Sequence, residues 1–319
     1  MFKNISQIVA VGSVDGVCTA AAVLRLIGRP AVEVGLVFCQ AFTVDRVDPT
    51  TWEPPNRQVA FVDLAVNNRD DTMTADFVRR ILEAGHEIVA IIDEHSREDW
   101  QGVLGSFEGL IVEPQSQKSE GGPGSSGELL RRALAGEEID SHTAELLGAA
   151  DAGDRMDFTT HFGGMVNQAV KSAIADDTRR VYLARHIASN RDGDEKIASW
   201  IKEYETILAN HDKVVAGRVD LGNGIHRVSA KGLAVDMTTL MGRLYREGAR
   251  VVALEGESYS KELKCKVLQI SFGTNDRGLD LLSVVKAAVP TASGFAQKAN
   301  VDPADEAAAL AAIRAALRG

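Results

Sequence analysis

Residues 88 to 95, I-V-A-I-I-D-E-H, limit the folds open to this chain more than any other stretch, because a run of buried-type residues there ends in Asp93, Glu94 and His95. Five apolar residues without alternation, preceded by Gly85 and closed by charge, read as a central parallel strand delivering polar residues to the carboxyl edge of its sheet. Open α/β sheets do their chemistry at that edge. Q-I-V-A-V-G-S-V-D-G at 7 to 16 and Q-V-A-F-V-D-L at 58 to 64 have the same form, each a short apolar run ending at an aspartate. Three strand ends therefore converge on acidic residues.

The intervening segments have helical character. G-V-C-T-A-A-A-V-L-R-L-I-G, 16 to 28, follows the first strand, with Gly16 at the strand-to-helix turn and Gly28 then Pro30 ending it. A second strand is expected over 32 to 39, a helix from about Thr74 to Glu83, and the acid-tipped strand after it. Strand alternating with helix at this spacing predicts a doubly wound, mostly parallel sheet.

Residues 117 to 127, Q-K-S-E-G-G-P-G-S-S-G, form a glycine-rich loop opening onto the helix E-L-L-R-R-A-L. Backbone N–H groups at such a start can hold a phosphate, but the lysine-serine ending of the nucleotide-triphosphatase loop is absent, and a plain connection fits equally. A helix over 142 to 150 then runs into D-A-G-D-R-M-D-F, where Asp151, Asp154 and Asp157 crowd together. From about 165 to 215 the pattern is helical with mixed charge, as expected of a bridge between domains. Strands and helices return after Gly217, and an alanine-rich helix closes the chain. The expected division is 1–165, a bridge over 166–215, and a smaller α/β domain over 216–319.

Composition narrows the function classes. With 319 residues there is material for two cores, since single cores stop growing near ~250–300 residues. A net charge of -10 and a pI near 5.3 argue against a general nucleic-acid coat or a membrane-surface protein. Cys18, Cys39 and Cys265 are widely spaced, which indicates neither a disulfide framework nor a zinc knuckle. Without a signal peptide or a long apolar run, the expectation is a cytoplasmic protein.

The order of V-G-S-V-D-G, F-V-D, I-D-E-H and A-A-D-A-G-D, each after an apolar run and followed by a bridge and a smaller α/β module, resembles the DHH phosphoesterase superfamily. That superfamily includes RecJ-type single-strand exonucleases, nano-RNases, cyclic dinucleotide phosphodiesterases, exopolyphosphatases and manganese pyrophosphatases. The resemblance spans nearly the whole chain, with 216–302 similar to the family's associated substrate-binding domain. The motifs are altered. The family's His-x-Asp-x-Asp-Gly is Val11-Gly12-Ser13-Val14-Asp15-Gly16 here, its Asp-His-His is Asp93-Glu94-His95, and its glycine-glycine-histidine signature is Ser293-Gly294-Phe295.

What the resemblance implies follows residue by residue. One of the family's two metal positions loses its ligands to Val11 and Ser13. The other would draw on Asp15, Asp63, Glu94 and Asp151, an all-oxygen set suited to Mg²⁺, Mn²⁺ or Ca²⁺ rather than Zn²⁺. One divalent cation, Mn²⁺ or Mg²⁺, is thus expected, against a metal-free remnant in which at least one carboxyl holds a proton. His95 is the candidate for contact with a substrate phosphate or for proton transfer, against a histidine that merely caps the strand end. Asp93 is the candidate for polarising a neighbour, against an aspartate that caps the following turn. Asp154 and Arg155 read more readily as a solvated loop, and Lys298 as a surface lysine. His86, His142, His161, His186, His211 and His226 lie outside any ligand spacing.

The expected activity is hydrolysis of a phosphate ester in a short oligonucleotide, a nucleotide or polyphosphate, held in an interdomain cleft. The alternative is an inactive relative that binds a nucleotide or a single strand, or serves as an assembly subunit.

Overall fold

The computed structural model describes residues 1–319 except 68–70, 173–175, 261–264 and 319. The chain forms two units, Met1–Lys202 and Glu203–Gly319.

In the first unit the strands β1 (Gln7–Val11), β2 (Gly35–Cys39), β3 (Gln58–Val62) and β4 (Glu87–Ile92) form one sheet in the order β2-β1-β3-β4. All three pairings are parallel. The strands carry no polar alternation because both faces are covered. Ile8, Ala10, Phe38, Ala60, Val62, Ala90 and Ile92 point into one buried cluster, while Val9, Val59, Phe61 and Ile91 point into another.

The helices of this unit are α1 (Val14–Ile27), α2 (Asp71–Glu83), α3 (Arg97–Leu104), α4 (Ser126–Ala133), α5 (Ser141–Arg155), α6 (His161–Ser172), α7 (Asp177–Ile187) and the start of α8 (Glu195–Ala216). Residues of α1 and α4 to α7 fill the first cluster; Phe77, Val78, Ile81 and Trp100 of α2 and α3 fill the second. After β2 the chain returns past β1 to lay β3 on its other side. The strand order therefore reverses between β1 and β3, and the carboxyl ends flanking such a switch point are where open α/β sheets place their sites.

The expected bridge differs from what forms. Phe162, Met165, Val166, Ala169 and Val170 of α6, Leu183, Ala184 and Ile187 of α7, and Ile197 of α8 are buried in the same cluster as Ile8 and Ala10. Their apolar residues recur at helical spacing under a charged outer face, and such a stripe is stable only when packed on a core. The division of the chain falls inside α8 rather than near 165.

The second unit holds β5 (Val219–Asp220), β6 (Ile225–Ser229), α9 (Met237–Arg246), β7 (Val251–Ser260), β8 (Cys265–Thr274), α10 (Leu281–Lys286), β9 (Ser293–Phe295), β10 (Lys298–Val301) and α11 (Glu306–Ala316). Its sheet is mixed, ordered β5-β6-β7-β8-β10-β9, with β6 and β7 parallel. α10 and α11 cover one face through Leu281, Val285, Ala309 and Ile313. Leu240 and Leu244 of α9, with Val214 and Val215, cover Val228, Val252 and Leu254 on the other. No helix among the described residues is long and apolar enough to cross a membrane.

Candidate metal centre

Asp15 lies in the first turn of α1, whose start is fixed by Ser13. The Ser13 hydroxyl caps the helix, accepting from the Gly16 amide at 2.8 Å, and donates to Asp63 Oδ2 at 2.5 Å. Only glycine fits at position 16, where a Cβ would stand 2.1 Å from the Val11 carbonyl oxygen and 3.1 Å from Asp63 Oδ2. Asp63 itself adopts a left-handed φ of 55°, immediately after β3, a conformation that aspartate tolerates better than most residues.

Asp93, Glu94 and His95 follow β4. Asp93 is fully buried with both oxygens engaged: Oδ1 meets His95 Nδ1 at 2.8 Å, and Oδ2 accepts from the Trp100 indole N–H at 2.9 Å. The capping role falls instead to Ser96, which accepts from the Asp99 amide. With Nδ1 held by Asp93, the imidazole of half-exposed His95 keeps Nε2 for an outside partner. The hydrogen bond to Asp93 and the surrounding carboxylates push His95 up to about 10, so the ring is a cation at neutral pH.

At the end of the glycine-rich loop, two backbone amides already have an acidic partner. The start of α4 takes up the chain's own carboxylates: Asp15 Oδ2 accepts from the Ser126 amide at 2.8 Å and Oδ1 from the Gly127 amide at 3.1 Å. The Ser126 hydroxyl donates to Glu94 at 2.5 Å, and the Ser125 hydroxyl donates to Asp151. A helix N-terminus favours negative charge, so Asp15 occupies the place an external anion would take. Sequence reading does not single out Ser125 and Ser126 as site residues, although Ser125 and Glu128 carry the S-x-x-E spacing of a helix start.

The four expected ligands are not all brought together. Asp15, Glu94 and Asp154 offer oxygens within 4.8 Å of one another, and Asp63, Asp93, Glu94 and His95 form a second such group; Glu94 belongs to both. Asp151 belongs to neither. Its Oδ2 is paired with Arg131 at 2.7 Å, and its Oδ1 accepts from Ser125. Asp154, one turn further along α5, stands in the acidic cluster in its place. The reason is packing: a Cβ on Gly153 would lie 2.9 Å from Val14 Cβ and 3.1 Å from the Asp15 amide, so the bare backbone lets the end of α5 close on the start of α1. The loop expected at 154 is instead the last turn of α5, on which Asp154 stays exposed while reaching the cluster.

Burial gives the cluster its electrostatics. Asp15 is pushed up to about 8 by desolvation, then by the Glu94 and Asp154 charges. Glu94 rises to about 7 through desolvation and the Asp93 charge, with His95 opposing. Asp63 is held well above the carboxylate range by desolvation, Asp15 and Glu94, and Asp154 is raised by desolvation. Even with the His95 cation beside them, carboxylates crowded out of water remain short of counter-charge, and the oxygens of Asp15, Glu94 and Asp154 are of the kind that Mg²⁺ or Mn²⁺ takes.

No protein-family model and no curated protein matches this sequence. Solved structures do match it. The pGpG-specific phosphodiesterase PggH from Vibrio cholerae aligns at a TM-score of 0.64 and 10% identity, covering 98% of this chain and 98% of that one. RecJ from Thermus thermophilus, in complex with Mn²⁺, aligns at 0.62 and 13% identity over 98% of this chain and 52% of RecJ, so this chain spans about half of RecJ's length. The DHH domain of a member of a ribosomal-protein family aligns at 0.56 and 12% identity, covering 99% of this chain and 87% of that one. At such identities the likeness is one of fold, and it runs the full length of the chain. With its four-stranded parallel sheet and mixed second sheet, this chain has the fold of that DHH domain and of the two enzymes.

Proposed function

We propose that this chain is a metal-dependent phosphoesterase acting on a nucleotide or short oligonucleotide. The observation that carries the reading is the convergence of Asp15, Asp63, Glu94 and Asp154, from four separate segments, at the edge where the strand order reverses, with Glu94 common to both acidic groups. Asp15, Glu94 and Asp154 would hold one divalent cation, with Asp63 beside them. Such an ion, when bound, supplies positive charge to a phosphoryl group and lowers the pKa of water.

The remaining steps belong to the chain. Protonated His95, oriented by Asp93, donates from Nε2 to a non-bridging phosphate oxygen and offsets charge that develops there. Asp93 is a positioning residue, fixed in turn by the Trp100 indole. Ser126 and Gly127 keep Asp15 and Glu94 pointed inward, so the acidic edge is formed before a substrate arrives. That pGpG phosphodiesterase and RecJ have this fold supports the reaction class as an analogy of fold.

Ser13 favours a second reading. Its hydroxyl donates to Asp63 Oδ2, at a position where the family has a carboxylate, which fits a relative that binds its ligand without cleaving it. Turnover of p-nitrophenyl thymidine phosphate, dinucleotides and polyphosphate with and without Mn²⁺ separates the two. Metal-dependent hydrolysis of any of them is expected; none on all three refutes the enzymatic reading.

A further inference from the structure

Beside His95 lies a cavity of about 430 Å³, lined by Ala65 and Val66 after β3, by Ser96, Glu98 and Asp99 at the start of α3, and by Ser116 to Ser119. It lies wholly within the first unit. Its position follows from the same strand ends that build the acidic centre: Asp63 precedes Ala65 by two residues, and His95 forms part of the cavity wall.

We propose that this cavity is a nucleoside pocket, receiving the base and sugar attached to the phosphate that His95 contacts. The inference rests on the phosphoesterase reading for that contact, and it selects nucleotide esters over polyphosphate. Three observations carry it. The volume falls in the range of small-ligand sites, which extends from roughly 300 Å³ upward. The walls are mixed: Ala65 and Val66 offer apolar surface against a ring face, the Ser96 and Ser116 hydroxyls are spent on Glu98 and on backbone amides, and the Ser119 hydroxyl and the Gln117 amide oxygen face a sugar or base edge.

The charges also discriminate. Glu98 is held below the usual carboxylate range, chiefly by a backbone hydrogen bond and the Ser116 hydroxyl, and so stays ionised. With Asp99 beside it, the far side of the cavity carries acceptors that suit amino and hydroxyl donors and repel a second phosphate. Among the described residues that line the cavity, Lys118 is the single lysine or arginine. A polyphosphate chain would have to run past both carboxylates, whereas a nucleoside presents donors to them.

The test is equilibrium binding of AMP, GMP, CMP and UMP, with inorganic phosphate as the comparison, to the full chain in Mn²⁺. Ser119→Trp fills the cavity from an exposed loop, and Ala65→Leu fills it from the opposite wall. Expected is tighter binding of at least one nucleotide than of phosphate, weakened ~10-fold or more in both variants. The rise in melting temperature on adding Mn²⁺ should persist in Ser119→Trp, which separates pocket filling from a collapsed centre. Nucleotide binding equal to that of phosphate, or equal in Ser119→Trp and the parent, overturns the pocket. Loss of nucleotide binding in the variants of a protein that hydrolyses nothing leaves the pocket standing and removes the phosphoesterase reading instead.

Discussion

Replacing Glu94 with glutamine removes the one carboxylate common to both acidic groups while keeping a side chain of the same shape beside Ser126. In the metal-free protein this substitution should stabilise. Glu94 is raised from 4.5 to about 7, so below pH 4.5 it is protonated in folded and unfolded chains alike and contributes no difference. As pH rises through that window the unfolded chain releases the proton first, and folding stability falls until the folded carboxyl also ionises. The loss is complete above about pH 7. The gap is worth about 3 kcal/mol, at about 1.4 kcal/mol for each tenfold change in proton affinity. For a unit the size of Met1–Lys202, that is a melting temperature roughly 6–12 °C higher for Glu94→Gln at about pH 8 in chelator, and no difference at about pH 4. Mn²⁺ at ~100 times its dissociation constant should add about 2.7 kcal/mol to the parent and little to the variant. Calorimetric or fluorescence melting across pH, in chelator and in Mn²⁺, reads both effects. A variant that melts below its parent at about pH 8 in chelator, or that keeps the parent's pH slope, refutes the electrostatic account.

Asp154→Asn should weaken Mn²⁺ binding ~10-fold or more by titration calorimetry, while Asp151→Asn leaves it within ~3-fold, because Asp151 is occupied by Arg131 and Ser125. The Asp151 variant should instead cost at most about 1 kcal/mol of stability, as befits a partly exposed ion pair. Asp93→Asn removes the main cause of the raised His95 pKa, so the imidazole titration followed by NMR should move from about 10 toward 6.5. An unmoved titration would show that Asp93 does not set the charge on His95.

Much of the fold is legible in the sequence because parallel strands buried on both faces must be apolar throughout, and 7 to 11, 58 to 62 and 87 to 92 each carry such a run toward an acidic residue. A bridge beginning at 165 is the wrong expectation, since a charged amphipathic helix reads alike whether it spans solvent or packs on a core; only the burial of Phe162, Val166 and Leu183 distinguishes them. The glycine-rich loop is ambiguous for a related reason. Its residues identify a helix start that favours an anion, and they cannot say that the anion is the chain's own Asp15, 111 residues away.

The residues alone establish that three strand ends carry carboxylates to one edge of a parallel sheet, because an unbroken apolar run and the acid that closes it are local features. Which oxygens meet is a matter of packing in three dimensions. Asp151 and Asp154 are chemically identical and three residues apart on one helix, yet Arg131 claims the first, and the close approach at Gly153 carries the second to Asp15 and Glu94. Helix spacing offers both candidates, and only the packing of α5 on α1 and α4 chooses between them.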